Sequence, residues 1–268
     1  MWRAWIPKRW GFTSTTSSRH EAALAPRGPI ALLTDFGLSD PYVGILKGVL
    51  ATLAPAVPVI DITHAVAPQD VRHGALLLDA AWRWFPEQTV FVCVVDPGVG
   101  TPRRPVVVSS GLRLFVGPDN GLFGLLPDPI TREITAPWGF AHRSRTFHGR
   151  DLFAPVAARL ALGARFEDVG PIVEDVVPSD LPRPDGDDGE VVHVDHYGNC
   201  VTNLPGRDHG RLVLDDLDVA IHLAYGDVEQ GAALGLTGST GHLELAVRGG
   251  SAAAELGVGR GARVRWRP

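Results

Sequence analysis

Short apolar runs and apolar residues at helical spacing alternate along the first half of the chain. The run Pro29-Ile-Ala-Leu-Leu-Thr34 breaks at Asp35-Phe-Gly37, which predicts a buried strand with a carboxylate at its C-terminal end. Val43, Leu46, Leu50 and Leu53 then recur at intervals of three and four until Pro55, the pattern of an amphipathic helix. Residues 57–62 read as a second strand. Val71, Ala75, Leu78, Trp82 and Phe85 repeat the helical spacing up to Pro86, and residues 89–95 form a third strand that ends at Asp96-Pro-Gly-Val-Gly100. Further strands are expected at 105–109 and 113–117, and a helix at about 150–162. Apolar strands alternating with helices predict an α/β domain whose mostly parallel sheet is flanked by helices. Ligands of such sheets bind beyond the strand C-termini. Asp35, Asp61 and Asp96 are therefore expected to line one rim.

The second half changes character. Residues 176–189 are rich in Pro, Asp and Gly and read as a linker. Beyond them, residues 190–194, 200–204, 219–224, 242–247 and 263–266 alternate or run apolar between Gly-rich turns, which predicts a smaller all-β domain. Residues 1–28 show neither periodicity nor the apolar stretch of a secretory signal and are expected to be a loosely ordered extension. The expected division is thus 1–28, 29–175, 176–189 and 190–268.

Composition narrows the functional classes. The 268 residues are 45% hydrophobic and 21% charged, enough for a sizeable core. With 25 Lys+Arg against 30 Asp+Glu and no basic run beyond Arg103-Arg104, a nucleic-acid partner is not expected. No stretch approaches the roughly 20 apolar residues needed to span a bilayer. Cys93 and Cys200 lie far apart in apolar runs with no CxxC pair, so two buried thiols and a cytoplasmic location are expected.

Taken singly, the motifs are ambiguous. Asp96-Pro-Gly-Val-Gly-Thr-Pro-Arg103 is either a tight turn closed by an ion pair or part of a site; its glycine spacing is not that of a dinucleotide loop. In Gly117-Pro-Asp-Asn-Gly121 the expected role of Asp119 or Asn120 is a helix N-cap. His148 alone, in Thr146-Phe-His-Gly-Arg-Asp151, reads as structural. No serine has a nucleophile-elbow context and no histidine pair has metal-ligand spacing.

Together they carry a signal. Thr34-Asp-Phe-Gly-Leu-Ser-Asp-Pro-Tyr-Val-Gly44, Asp61-Ile-Thr-His64, Asp96-Pro-Gly-Val-Gly-Thr101 with Arg103-Arg104, Gly117-Pro-Asp-Asn-Gly-Leu122, Thr146-Phe-His-Gly-Arg-Asp151 and Asp195-His-Tyr-Gly-Asn199 occur in an order that resembles the S-adenosyl-L-methionine (SAM) hydrolases. These are also called SAM hydroxide adenosyltransferases and are relatives of the SAM-dependent fluorinase and chlorinase. The resemblance runs from about residue 29 to 268. It implies a barrel-like C-terminal domain and a homotrimer with active sites between subunits. It implies that Asp96, Arg103 and His148 match a water-holding triad and that Asp35 takes both ribose hydroxyls. Asp40 and Asp195 match groups near the methionine ammonium, Asn199 an adenine contact, Ser239 a methionine-carboxylate contact and Tyr225 a residue stacking on adenine. Where the halogenating relatives carry Tyr, Trp and Ser near the halide, this chain has Asp96, Gln69 and Gly149.

The implied reaction is in-line attack of water or hydroxide on the ribose 5′ carbon of SAM, releasing adenosine and methionine. The sulfonium leaves as a neutral thioether, so no acid is needed, and neither metal nor other cofactor is expected. The difficulty is the nucleophile: bulk water has a pKa near 15.7. A cation at about 4 Å contributes roughly 4 kcal/mol, equivalent to about 3 pKa units. The sulfonium and Arg103 together bring a bound water to a pKa of about 10 on that arithmetic. A proton acceptor still helps. A carboxylate held by an arginine is a weakened base, which favours His148 as acceptor or relay, Asp96 as orienter and Arg103 as stabiliser of hydroxide. The competing expectations are a SAM-dependent halogenase, disfavoured because a carboxylate at Asp96 repels a halide, and a non-catalytic SAM or adenosine binding module.

Overall fold

The computed structural model describes residues 28–268, so all but Gly28 of the expected N-terminal extension lies outside the described residues. The first half is organised around a seven-stranded sheet. Its strands are β1 (Ile30–Thr34), β2 (Val59–Thr63), β3 (Val90–Val94), β4 (Pro105–Ser110), β5 (Arg113–Pro118), β6 (Ile130–Glu133) and β7 (Ile172–Val173), in the order β2-β1-β3-β5-β4-β6-β7. The first four in that order are parallel; β4, β6 and β7 join by antiparallel pairing, so the sheet is mixed.

Strands β1 and β3 are buried along their whole length, as central strands covered on both faces must be. The two-residue period sorts their side chains. Ile30 and Leu32 pack with Val90, Val92 and the apolar faces of α1 (Tyr42–Leu53) and α3 (Ala154–Ala161). Ala31 and Leu33 pack on the opposite side with Phe91, Cys93 and α2 (Val71–Trp82). Asp70 caps α2 by accepting from the His73 N–H at 2.9 Å. The helix stops at Trp82 rather than running on to Phe85, whose N–H closes a tighter turn onto the Trp82 carbonyl.

Hairpin β4–β5 turns at Gly111-Leu112 with φ of 54° and 60°, the positive pair that a two-residue turn needs to match strand twist. The expected N-cap at Asp119 or Asn120 is absent because no helix follows. Asp119 instead pairs with Arg104 at 2.8 Å and accepts from the Val177 N–H, while Asn120 accepts from Leu122 two residues on. Asp61 does not reach the rim either. It lies within β2, where Lys47 holds it at 2.6 Å and His64 stands 3.1 Å away.

The second half is a closed barrel, ordered β10-β11-β12-β13-β9-β8-β14, of β8 (Asp188–Val194), β9 (Cys200–Pro205), β10 (Arg211–Leu214), β11 (Leu217–His222), β12 (Ala233–Thr237), β13 (His242–Val247) and β14 (Arg263–Arg267). A short helix, α4 (Ala252–Leu256), packs on β13. Closure removes free strand edges. Leu243, Leu245 and Val247 join the interior cluster, which places Glu244 and Ala246 on the outer face of β13. Sheet and barrel meet where His73 of α2 lies against His193 of β8, ring centroids 5.0 Å apart, and where Arg260 pairs with Asp70 at 2.6 Å. Cys93 and Cys200 are buried and unpaired. No helix among the described residues is long and apolar enough to cross a membrane.

Candidate active site

Adjacent strands deliver two carboxylates to one place. In the β1–β3 register Thr34 lies beside Val94, and the Asp35 N–H reaches the Val94 carbonyl, so Asp35 and Asp96 emerge side by side at the C-terminal edge. After Asp96 the chain makes a compact loop in which Val99 N–H bonds the Asp96 carbonyl and Thr101 Oγ1 bonds the Gly98 carbonyl at 2.6 Å. The loop folds Arg103 back onto Asp96. The guanidinium grips the carboxylate through Nε, at 3.0 and 3.1 Å from its two oxygens, and through Nη2. The Asp96 and Arg103 side chains are only 5% and 10% exposed, which makes this a desolvated pair rather than the surface turn that the motif alone also allows.

Gly100 explains how the third residue arrives. Its φ is 78°, and a Cβ there would stand 2.4 Å from the Arg145 carbonyl oxygen, so only glycine lets the 145–148 segment close over the loop. His148 then reaches the same arginine, its Nδ1 2.8 Å from Arg103 Nη2. Arginine can only donate, so Nδ1 accepts, and the neutral ring carries its proton on Nε2. Burial, reinforced by the Arg103 charge, holds the imidazole below the ordinary histidine pKa and hence in that neutral form. The chain continues from His148 into a turn of π-helix, Gly149–Phe153, a distortion frequent at functional sites. The π-helical turn runs directly into α3, which carries Pro155.

Aromatic rings bind the Asp35 loop to the His148 loop. Phe36 and Phe147, each next to a site residue, meet edge to face at 5.8 Å, and Tyr42 contacts both at 6.1 and 5.4 Å. Gly149 lies on this cluster, with Phe36 and Phe147 carbons 3.4 Å from where its Cβ would stand. Gln69 donates its backbone N–H to Asp35 Oδ2 at 2.8 Å, from a strained φ of 65°. Asp40 lies exposed on the same loop, just before α1.

A second group assembles on the barrel. Asp195 follows β8 and shapes its turn: Oδ1 accepts from the Tyr197 and Asn199 N–H groups and Oδ2 from Asn199 Nδ2. That Nδ2 also lies 3.2 Å from the Tyr225 hydroxyl. Ser239 is exposed on the β12–β13 loop. The neighbouring Gly238 has the Glu244 carboxylate packed directly on its Cα, in the space a Cβ would fill. Of the residues singled out from sequence, the structure thus brings Asp35, Asp96, Arg103 and His148 together, and Asp195, Asn199 and Tyr225 together. No hydrogen bond, ion pair or ring contact among the described residues joins the two groups. Glu244, which no sequence pattern singles out, lies beside the β12–β13 loop on β13.

Comparison with known proteins gives one family. The model of the SAM hydroxide adenosyltransferase N-terminal domain matches residues 30–170 and that of the C-terminal domain residues 189–265. The (R)-S-adenosyl-L-methionine hydrolase of Thermus thermophilus is 43% identical over 88% of this chain and 98% of its own length. That of Salinispora tropica is 44% identical over 90% and 98%. Fluorinases match at lower identity, 27% for that of Actinopolyspora mzabensis. A crystal structure of a protein from Thermotoga maritima superposes with a TM-score of 0.83 at 37% identity, covering 89% of this chain and all of that one.

Proposed function

The chain belongs to the SAM hydroxide adenosyltransferase family and is a SAM hydrolase, and on that premise we propose that the Asp96–Arg103–His148 cluster directs a water or hydroxide at the ribose 5′ carbon. One observation carries this reading: a single arginine binds both a buried carboxylate and a histidine beside the strand-end carboxylate Asp35. Asp35 accepts the ribose hydroxyls and fixes the sugar, so that the 5′ carbon faces the cluster. Arg103 lowers the cost of negative charge on the attacking oxygen. His148, whose Nδ1 lone pair is occupied by Arg103, has an N–H to offer at Nε2 and no free basic nitrogen. The geometry therefore argues against His148 as the proton acceptor. Its part is to donate to the oxygen and hold it in line, while Asp96 accepts from it or the ion is taken as hydroxide from solvent. Sulfonium departs as thioether, so charge and electrons balance without a cofactor. A halide in place of water would face the Asp96 carboxylate, which disfavours halogenation.

Asp40 and Asp195 attend the methionine ammonium, Ser239 its carboxylate, and Asn199 and Tyr225 the adenine. These groups sit on the barrel or on an exposed loop, away from the triad in hydrogen-bond terms, and the chain shows exposed apolar residues beside each: Leu38, Tyr42 and Ile45 near Asp40, and Tyr197, Leu223 and Tyr225 on the barrel. Two different patches on one chain suit a head-to-tail ring, so the active form is a homotrimer that completes each site from two subunits. Sedimentation of the purified protein reads a trimer; a stable monomer with full activity would refute it. With two unpaired thiols the protein works in the reducing cytoplasm.

The substrate is the (R) form named for the relatives. Incubation of the (R) and (S) forms separately in oxygen-18 water tests substrate and chemistry together. Label in the 5′ hydroxyl of adenosine from the (R) form is the expected result; unlabelled adenosine, or none, refutes it.

A further inference from the structure

The side chains of Lys47, Asp61, His64 and Thr34 form a polar chain that runs from α1 to the turn carrying Asp35. β1 ends at Thr34, and beyond Asp35 the backbone leaves the sheet, so the Phe36 and Gly37 N–H groups need partners outside the ladder. Thr34 Oγ1 accepts the first at 3.2 Å and the His64 carbonyl accepts the second at 2.8 Å. Thr34 is fully buried, so its hydroxyl hydrogen needs an acceptor as well. His64 Nδ1 stands 2.8 Å from that oxygen. With Nδ1 accepting, the ring carries its proton on Nε2. That nitrogen faces Asp61 Oδ1 at 3.1 Å, and Lys47 holds the other Asp61 oxygen at 2.6 Å.

Stability does not call for this arrangement. A valine would fill the Thr34 position and suits a central strand at least as well, and a buried hydroxyl and imidazole are costly groups unless they bond each other. Lys47 and Asp61 are each more than one-third exposed, and such pairs stabilise a fold weakly. What the chain supplies is position. Asp35 sits between Thr34 and Phe36, which one hydroxyl ties together, and the residue that receives that hydroxyl also fixes Gly37. Without the imidazole the hydroxyl must turn to another acceptor, and its hold on the Phe36 N–H goes with it. A displacement of about 1 Å in a group that places the substrate costs up to roughly 10²-fold in rate.

Resting on the assignment of Asp35 to the ribose hydroxyls, we propose that His64 is a positioning residue: through Thr34 it sets the turn that aims Asp35 at the sugar, with Asp61 holding the ring. The motif Asp61-Ile-Thr-His64 thereby serves the site from behind, one layer away from the substrate.

The test is titration of wild type, His64→Leu and Thr34→Val with adenosine and with 2′,3′-dideoxyadenosine, which lacks both ribose hydroxyls. Wild type is expected to prefer adenosine, and that preference falls at least about tenfold in each variant while the affinity for the dideoxynucleoside stays within about twofold. The double variant loses no more than either single one, since both act through the same bond. A merely structural histidine would weaken both nucleosides together and leave their ratio as it is. An unchanged ratio in either variant, or an equal loss for the two nucleosides, overturns the proposal. Where His64→Leu does not fold, Thr34→Val, which keeps the volume, decides. Wild type without a preference overturns the ribose assignment of Asp35 and this proposal with it. Failure of wild type to release adenosine from SAM sinks the hydrolase reading alone, and the nucleoside ratios still decide the part played by His64.

Discussion

Arg103→Leu should lower kcat by at least about 10³-fold and also lower the melting temperature by about 10 °C. The catalytic loss follows from removing the charge that stabilises the attacking oxygen, an effect worth about 10²–10³ for a single preorganised donor. The release of His148 adds to it, because Nδ1 then loses the donor that fixes its tautomer. The stability loss has a different origin. Asp96 is 5% exposed and among the described residues is paired only with this arginine, so the variant strands a buried carboxylate, which costs about 3–5 kcal/mol. At roughly 2–4 °C per kcal/mol for a chain of this size, that predicts the drop in melting temperature. Arg103→Lys separates the two effects. An ammonium can still neutralise Asp96, so the melting temperature largely returns, but it cannot hold a carboxylate in two-point contact and reach His148 as well. Its kcat should stay about 10²-fold down. Near-normal turnover in Arg103→Lys would show that the bridging geometry is unnecessary.

That arginine also shows what the sequence conveys and what it withholds. The two-residue and 3.6-residue periods located β1, α1, α2 and β3, because those elements are buried on wide faces and leave a strong apolar imprint. They also place Asp35 and Asp96 at strand C-termini on one rim; the β1–β3 pairing makes those ends neighbours. Strands β6 and β7 left no such imprint: Ile-Thr-Arg-Glu and Ile-Val are short, partly exposed and at the sheet margin. The apolar run at 57–62 puts Asp61 near a strand end and so at the rim, whereas β2 runs to Thr63 and Lys47 claims the side chain. The role of Arg103 could not be read locally. Seven residues separate it from Asp96 and 45 from His148, and its contact with the latter depends on Gly100 admitting the Arg145 carbonyl.

His148→Asn should retain activity within about tenfold of wild type, while His148→Ala should lose at least about 10²-fold, with S-adenosylhomocysteine bound equally by both. The asparagine oxygen can accept from Arg103 as Nδ1 does, and its amide can donate to the attacking oxygen in place of Nε2–H. Alanine does neither. A histidine acting as base admits no such substitute, because an amide cannot take a proton at neutral pH, and both variants would then be equally inactive. The pH profile adds a second reading. Burial and Arg103 keep His148 neutral to below the usual histidine range, so wild-type kcat/KM should hold steady down through about pH 6.5 and fall only at lower pH. There, protonation would place a hydrogen on Nδ1 against the arginine and break the bridge. Both roles predict that acid limb in wild type, but only the donor role predicts an active His148→Asn protein from which the limb has disappeared. Equal inactivity of the two variants would return the proton to His148 and require Arg103 to swing off Nδ1 before the reaction begins.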